Sequence, residues 1–490
     1  MKFLDNEQKK QIGFDFLMEQ LQTITFYGLE EKKKLKPYKK DERANLIVEL
    51  DDLDKLIKAI NDNKDKFNEV QRLLRKVKDI KNSIKRMLKE ETLDEVELYE
   101  IKYFSMIIEE LKIIIEDLNL QIESINFISL KEVIKILDPE DKNIPTFYIY
   151  DDYSNDLKEV RRKKSNIEKK IFSTDDEDTV CTLKEERLKL VIEEENEELR
   201  IRQALTKSLK EFGENILYNI KCIGILDFKI AKAKMAIDYN AIRPNIIDHM
   251  NIELVEAFNP EVKSVLNKKG KKFTNQTITI KSGTTVITGA NMGGKSVTLK
   301  TIVLNLFLGQ MGFFVFAKEA TFPILDFIHF ISDDMQSISK GLSTFGAEII
   351  KLKEVVECVK RGDGFVALDE FARGTNPKEG FYLVKSLALY LNNFSTISLI
   401  STHYDGIVEE NMEHYQVIGL KNMDFESLKY KIDLNKTKSV ETIQQHMEYR
   451  LEKVSKEDKV PKDALNIAML LGLDNEIVDI AKEFYEEQKA

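Results

Sequence analysis

The stretch VITGANMGGKSVTLKT, residues 286–301, decides the fold. Its centre, Gly289-Ala290-Asn291-Met292-Gly293-Gly294-Lys295-Ser296, satisfies the phosphate-loop pattern G-x-x-x-x-G-K-[ST]. The β-branched run Val286-Ile287-Thr288 ahead of it is the strand such a loop needs, and Val297 to Leu308 is the helix that should follow. In that setting the backbone N–H groups of Asn291 to Lys295 surround a β-phosphate at the positive end of the helix. Lys295 reaches the β- and γ-phosphates, and the Ser296 hydroxyl is placed to ligate Mg²⁺.

Further along lie three more segments with chemistry in them. GFVALDEFARGT, 364–375, is an apolar strand that ends on Asp369 and Glu370. In open α/β sheets ligands bind at that end of the strands. The pair suits phosphoryl transfer, with Asp369 holding Mg²⁺ through water and Glu370 polarising the attacking water. TISLISTHYDG, 396–406, is a second apolar strand, ending on Thr402-His403. Of the five histidines only His403 is so placed, where it can sense the γ-phosphate or orient the water. GLSTFGAE, 341–348, reads as a helix start, with Ser343 or Thr344 capping and Glu348 in the first turns. Such an end can meet an anion.

Outside the site, the chain divides by texture. Apolar residues at Leu53, Leu56, Ile60, Phe67, Val70, Leu73, Val77, Ile80, Ile84 and Leu88 recur at helical spacing and predict one buried stripe. A second helix is expected over 93–120, and TFYIYDDYS, 146–154, is expected to be a short strand or hairpin edge. The acidic FSTDDEDTVC, 172–181, reads as a loop, and a long helical run follows to Arg243-Pro244. From about residue 251 short β-branched runs appear, TITIKSGTTVIT, GFFVFA, GFVALDE and STISLIST, with helix-like stretches between them. That alternation predicts an α/β layer with a largely parallel sheet. The predicted organisation is a helical domain over 1–245, a phosphate-loop domain over 246–435 and a helical C-terminal segment over 436–490.

Composition bounds the rest. With 490 residues, 42% hydrophobic and 33% charged, more than one domain and long solvated helices are expected. The net charge of −10 argues against extensive phosphate contact with nucleic acid. The three cysteines are far apart, which disfavours zinc and disulfides and fits a cytoplasmic protein. The N-terminus has no signal-peptide core, and no apolar run reaches the ~18 residues of a membrane span.

Taken together, the motifs resemble the MutS ATPases of DNA mismatch repair. The family's loop T-G-P-N-M-G-G-K-S-T corresponds to Thr288–Ser296 with Ala290 for proline, followed by Val297. Its D-E-I-G-R-G-T corresponds to Asp369-Glu370-Phe371-Ala372-Arg373-Gly374-Thr375, its A-T-H-Y to Ser401-Thr402-His403-Tyr404, and its S-T-F stands intact at 343–345. ISDD, 331–334, resembles the family's G-A-D-D, and DALNIAMLLGLDNEIVDIAKEF, 463–484, its helical dimerisation tail. The resemblance implies an ABC-type α/β ATPase behind an all-α lever or core domain, working as a homodimer or as a heterodimer with a related chain. ATP and Mg²⁺ are then the expected ligands. Ser343 would act in trans on the nucleotide of the partner chain. Phe273 and Asn275 match the loop that packs on adenine, whereas Ala257-Phe258-Asn259-Pro260 lacks the histidine of the family's R-H-P. The mismatch-recognition domain finds no counterpart, and the clamp is reduced to a short acidic segment. Two targets are therefore expected: DNA by family, or a protein client such as the cobalamin-dependent lysine 5,6-aminomutase, which MutS-like chains without DNA domains accompany.

Overall fold

The computed structural model describes residues 3–142, 148–289, 293–332, 344–420, 446–454 and 463–487. In chain order, helices α1 (Asn6–Gln11), α2 (Phe14–Gln20), α3 (Phe26–Lys33), α4 (Arg43–Asp62), α5 (Lys64–Leu74), α6 (Lys81–Leu88), α7 (Glu95–Asp117), α8 (Lys131–Leu137), α9 (Asn155–Phe172), α10 (Glu177–Leu209) and α11 (Gly213–Tyr239) precede the first strand. Then follow β1 (Asn245–Ile247), β2 (Asn251–Ala257), α12 (Pro260–Lys268), β3 (Gln276–Lys281), β4 (Gly283–Thr288), α13 (Lys295–Gln310), β5 (Glu319–Pro323) and β6 (Ile328–Ser332). The chain continues through α14 (Thr344–Val359), β7 (Phe365–Asp369), α15 (Pro377–Leu391), β8 (Ile397–Ser401), β9 (Glu413–Gly419), β10 (Glu448–Lys453), α16 (Asp463–Leu470) and α17 (Asn475–Glu487). Among the described residues no helix is long and apolar enough to cross a membrane.

Two compact units result. One comprises residues 23–35 and 55–231; the other comprises 1–22, 36–54 and 232–490. The division differs from a simple cut near 245, because the N-terminal segments belong to the unit that carries the sheets.

The helical unit departs from the expected single stripe. The apolar residues named over 53–88 are buried or half-buried, but they are spread over three successive helices, α4 to α6, with Val77 and Ile80 in the link before α6. Helical spacing survives the breaks because each short helix turns its own apolar face inward. Residues 148–153 are not a strand: they run without regular structure into a 3₁₀ turn at Asp151–Tyr153. Burial of the Tyr150 ring fixes them, its hydroxyl donating to Asp138 Oδ1 at 2.9 Å beside buried Lys102. The expected acidic loop is shorter than predicted, since Asp176 caps α10 by accepting from Thr179 N at 3.1 Å and the helix runs from there. Over much of their length α9 and α10 pair through charge. Arg161 contacts Asp151 at 2.6 Å, Glu194 at 3.0 Å and Glu198 at 2.8 Å, and Arg187 contacts Glu168 at 2.7 Å. In α9 Leu157 alone is fully buried, and in α10 full burial begins at Ile201.

The other unit holds two sheets. A four-stranded sheet runs in the order β1-β5-β2-β3, and a six-stranded sheet in the order β10-β9-β4-β8-β7-β6. In the six-stranded sheet every pairing is parallel except the antiparallel β10–β9 edge. β10 lies beyond residue 435, so the sheet reaches into the segment read as purely helical. Strands β4, β6, β7 and β8 are buried at every position, as a parallel sheet covered on both faces requires. The run TITIKSGTTVIT is split into two strands at Gly283, whose φ of 90° favours glycine. GFFVFA forms no strand; Val315 makes an isolated bridge to Ile242.

Helix α13 is buried almost throughout and packs on β6, β7 and β8 of one sheet and on β2 of the other. Its polar residues tie it down from inside. Asn305 bonds the backbone of Phe258 and Phe316, and Gln310 that of Tyr38 and Leu325. Residues of α1 and α2 close the β6 side: Gln8 Nε2 donates to Phe330 O, Ser332 Oγ to Gln11 Oε1 at 3.1 Å, and Phe14 meets Phe307 edge to face at 5.2 Å. A sheet edge covered this way is protected from pairing with another chain.

Candidate functional site

Strands β4, β8 and β7 lie side by side with Ile287, Ser401 and Asp369 at one level of the ladder. Their C-terminal ends therefore open on the same edge. β4 leads to Gly289 with φ 134°, and Gly294, φ 87°, turns the chain into α13. Lys295, the first residue of that helix, is 3% exposed. Its Nζ donates to Gly289 O at 2.8 Å and lies 3.3 Å from Glu370 Oε1. The other carboxylate oxygen of Glu370 accepts from Arg373 Nη1 at 2.8 Å. Lysine and carboxylate thus hold one another at this edge of the sheet.

Asp369 is 5% exposed and its carboxyl is raised above the ordinary range by burial, an effect opposed by hydrogen bonds from Ser401 and Ser296. The Ser401 hydroxyl donates to Asp369 Oδ1 at 2.6 Å and accepts from Glu370 N at 3.2 Å. It binds the two acidic residues to the neighbouring strand. Glu370 and Ala372 have φ of 49° and 62°, in the left-handed region that residues bearing a Cβ seldom occupy. Ser296 and Asp369 are hard oxygen donors in mutual contact, the ligand chemistry Mg²⁺ takes.

His403 follows β8 with its ring exposed. Partial desolvation lowers its pKa from 6.5, and Glu370, Lys295 and Arg373 all act on it electrostatically. The sequence-predicted Lys295, Ser296, Asp369, Glu370 and His403 therefore come together, with Gly289, Gly293, Gly294 and Val297 around them. Ala290, Asn291, Met292 and Ser343 lie outside the described residues. Phe273 and Asn275 fall in an irregular segment ahead of β3. Gln276 next to them donates from Nε2 to Tyr449 O at 3.1 Å.

Tyr449 was not found from sequence. A Cβ at Gly294 would lie 3.0 Å from Tyr449 Cδ1, so the ring of this β10 residue rests on the turn of the phosphate loop. Only the pairing of β10 with β9 brings it there, and no local pattern announces that. Ser401 was read as part of a motif without a role. His414 bonds Thr288 Oγ1 at 2.8 Å at the end of β4. Asn259, where the family carries histidine, caps α12 by accepting from Glu261 N at 3.1 Å and holds Ile12 O at 2.9 Å.

Comparison with known proteins agrees with this edge of the sheet. The family model MutS domain V matches residues 285–487, from inside β4 to the end of α17. The chain is similar to endonuclease MutS2 of Carboxydothermus hydrogenoformans, 30% identical over 301 residues, 60% of this chain and 35% of that protein. It is similar to endonuclease MutS2 of Acetivibrio thermocellus, 33% identical over 216 residues, 44% of this chain and 27% of that protein. A longer match, to endonuclease MutS2 of Caldanaerobacter subterraneus subsp. tengcongensis, is 27% identical over 507 aligned residues, 88% of this chain and 60% of that protein. The matches span between 27% and 60% of these relatives' own length. Residues 285–487 match the MutS domain V, and a relative named endonuclease MutS2 aligns with 88% of the chain.

Proposed function

We propose that this chain is a Mg²⁺-dependent ATP hydrolase that works as a dimer and drives motion of its helical unit for a DNA-associated task. One observation carries the reading: three adjacent parallel strands deliver Lys295, the Asp369–Glu370 pair and His403 to one edge, with Lys295 Nζ 3.3 Å from Glu370. An incoming γ-phosphate competes for Lys295. Released from that pair, Glu370 orients a water and takes up its proton. His403, favoured as the neutral imidazole, contributes an N–H or a lone pair to the same water or phosphate. The Ser296 hydroxyl and the Asp369 carboxylate are the residues that would hold Mg²⁺, which when bound supplies charge neutralisation to the phosphates. Tyr449 offers an aromatic face beside the loop, and with the segment of Phe273 and Asn275 it bounds the space left for base and ribose.

The motif at Ser343-Thr344-Phe345 has the chemistry of an anion-facing helix end, and the trans arrangement assigns it to the nucleotide of the second chain. Exposed apolar residues on the C-terminal helices, Ile477, Ile480 and Phe484 of α17 with Leu471 and Leu473 before it, support association there. The relatives' name, endonuclease MutS2, favours DNA over an aminomutase as the target. The primary test is Glu370→Gln, expected to bind ATP and to lose about 100-fold or more of its turnover. Wild-type hydrolysis in that variant refutes the assignment. The target is tested by titrating the ATP-bound protein with homoduplex, mismatched and branched DNA at two salt concentrations. Binding that weakens steeply with salt is expected for several phosphate contacts, and no binding at low salt rejects the DNA reading.

A further inference from the structure

Glu348 has no part in the reaction described so far, yet it is 1% exposed. A carboxylate is rarely buried without a specific partner, because desolvation of the charge is costly. It stands on α14, one turn beyond Thr344, the first residue of that helix. Its Oε2 accepts from the backbone N–H of Ala372 at 3.0 Å.

That N–H belongs to the turn that aims Glu370. Both Glu370 and Ala372 are left-handed, and such conformations persist only when the surroundings hold them. On the β8 side the hold is Glu370 N, which donates to Ser401 O at 3.1 Å and to Ser401 Oγ at 3.2 Å. On the other side it is α14. Glu348 takes the Ala372 N–H, while Phe345 and Leu352 pack against the cluster that contains buried Phe371 and Ala372.

We propose that Glu348 is a positioning residue, which through the Ala372 N–H fixes the turn that orients Glu370 and so ties the N-terminal end of α14 to the hydrolytic centre. The inference rests on the ATPase reading above. A helix is stiff over one turn, so a shift of the start of α14 at Thr344 moves Glu348 and with it the 370–372 turn.

The experiment compares steady-state ATP hydrolysis and fluorescent-ADP affinity in the full chain for Glu348→Gln, Glu348→Asp and Glu370→Gln. The glutamine keeps an acceptor at the same reach, so its kcat is expected within about threefold of wild type. The aspartate keeps the charge but is one methylene short. Displacements near 1 Å can cost about 100-fold, so its kcat is expected to fall at least about tenfold, with KM and ADP affinity nearly unchanged. The inference is overturned if the aspartate variant turns over like wild type, if its nucleotide affinity falls in parallel, or if the glutamine variant drops as far as the aspartate. Loss of turnover in Glu370→Gln with a fully active Glu348→Asp overturns the positioning role alone. Wild-type turnover in Glu370→Gln removes both the ATPase assignment and this inference.

Discussion

At the scale of single residues, charge holds the site together. Lys295 and Arg373 take the two oxygens of Glu370, and Ser401 ties Asp369 to the neighbouring strand. Ser401→Ala removes a donor from a buried carboxylate, at a cost of about 1–3 kcal/mol. The expected result is weaker Mg²⁺ dependence and lower kcat, read from a magnesium titration of hydrolysis. Tyr449→Ala removes the ring that rests on Gly294. Loss of a stacked aromatic face predicts a KM for ATP raised about tenfold, with kcat changed less. For His403 the sign is set by desolvation, which lowers its pKa from 6.5. The imidazole is then neutral at pH 7 and gains its proton only below that value. The acid limb of kcat should lie under pH 6.5 and should be lost in His403→Asn, as a pH–rate series will show.

At the scale of elements, legibility followed how local the cause was. β4, β7 and β8 are apolar runs ending on polar residues, and the sequence periods place them well. α13 begins at Lys295 as the loop pattern demands. The Tyr148–Ser154 segment misled because its alternating tyrosines suit a strand, while the cause of its shape is a distant one, Asp138 at the end of α8. Tyr449 was invisible for the same reason: its neighbour Gly294 is reached only across the β10–β9 pairing. The α9–α10 pair is the element most exposed to conditions. Its middle is joined by Arg161 and its acidic partners rather than by a buried apolar seam. Arg161→Met keeps the stem and removes the guanidinium, taking one cationic partner from each of Glu194 and Glu198. A loss of about 2 kcal/mol in local stability is expected, seen as faster amide exchange over 158–200 with hydrolysis unchanged. High salt should act in the same direction on that pair, because exposed charges are screened.

At the scale of the whole molecule, a trans site makes activity a property of pairs. Mixing Ser343→Ala with Lys295→Ala chains should restore no more than one competent site per dimer, so the mixture should reach at most a fraction of wild-type hydrolysis. Full activity in the mixture, or in either variant alone, rejects the trans arrangement. One feature of the sheet unit also has a bearing on synthesis. Gln8 donates to the carbonyl of Phe330, and Asn259 to that of Ile12, so the first helices of the chain find their partners hundreds of residues later. At a ribosomal pace of about 5–20 residues per second, residues 3–22 wait roughly a quarter of a minute to a minute before β6 exists. During that interval α1 and α2 are without the sheet they pack on. They are then open to holding chaperones and proteases, while residues 55–231 have already left the exit tunnel and can fold.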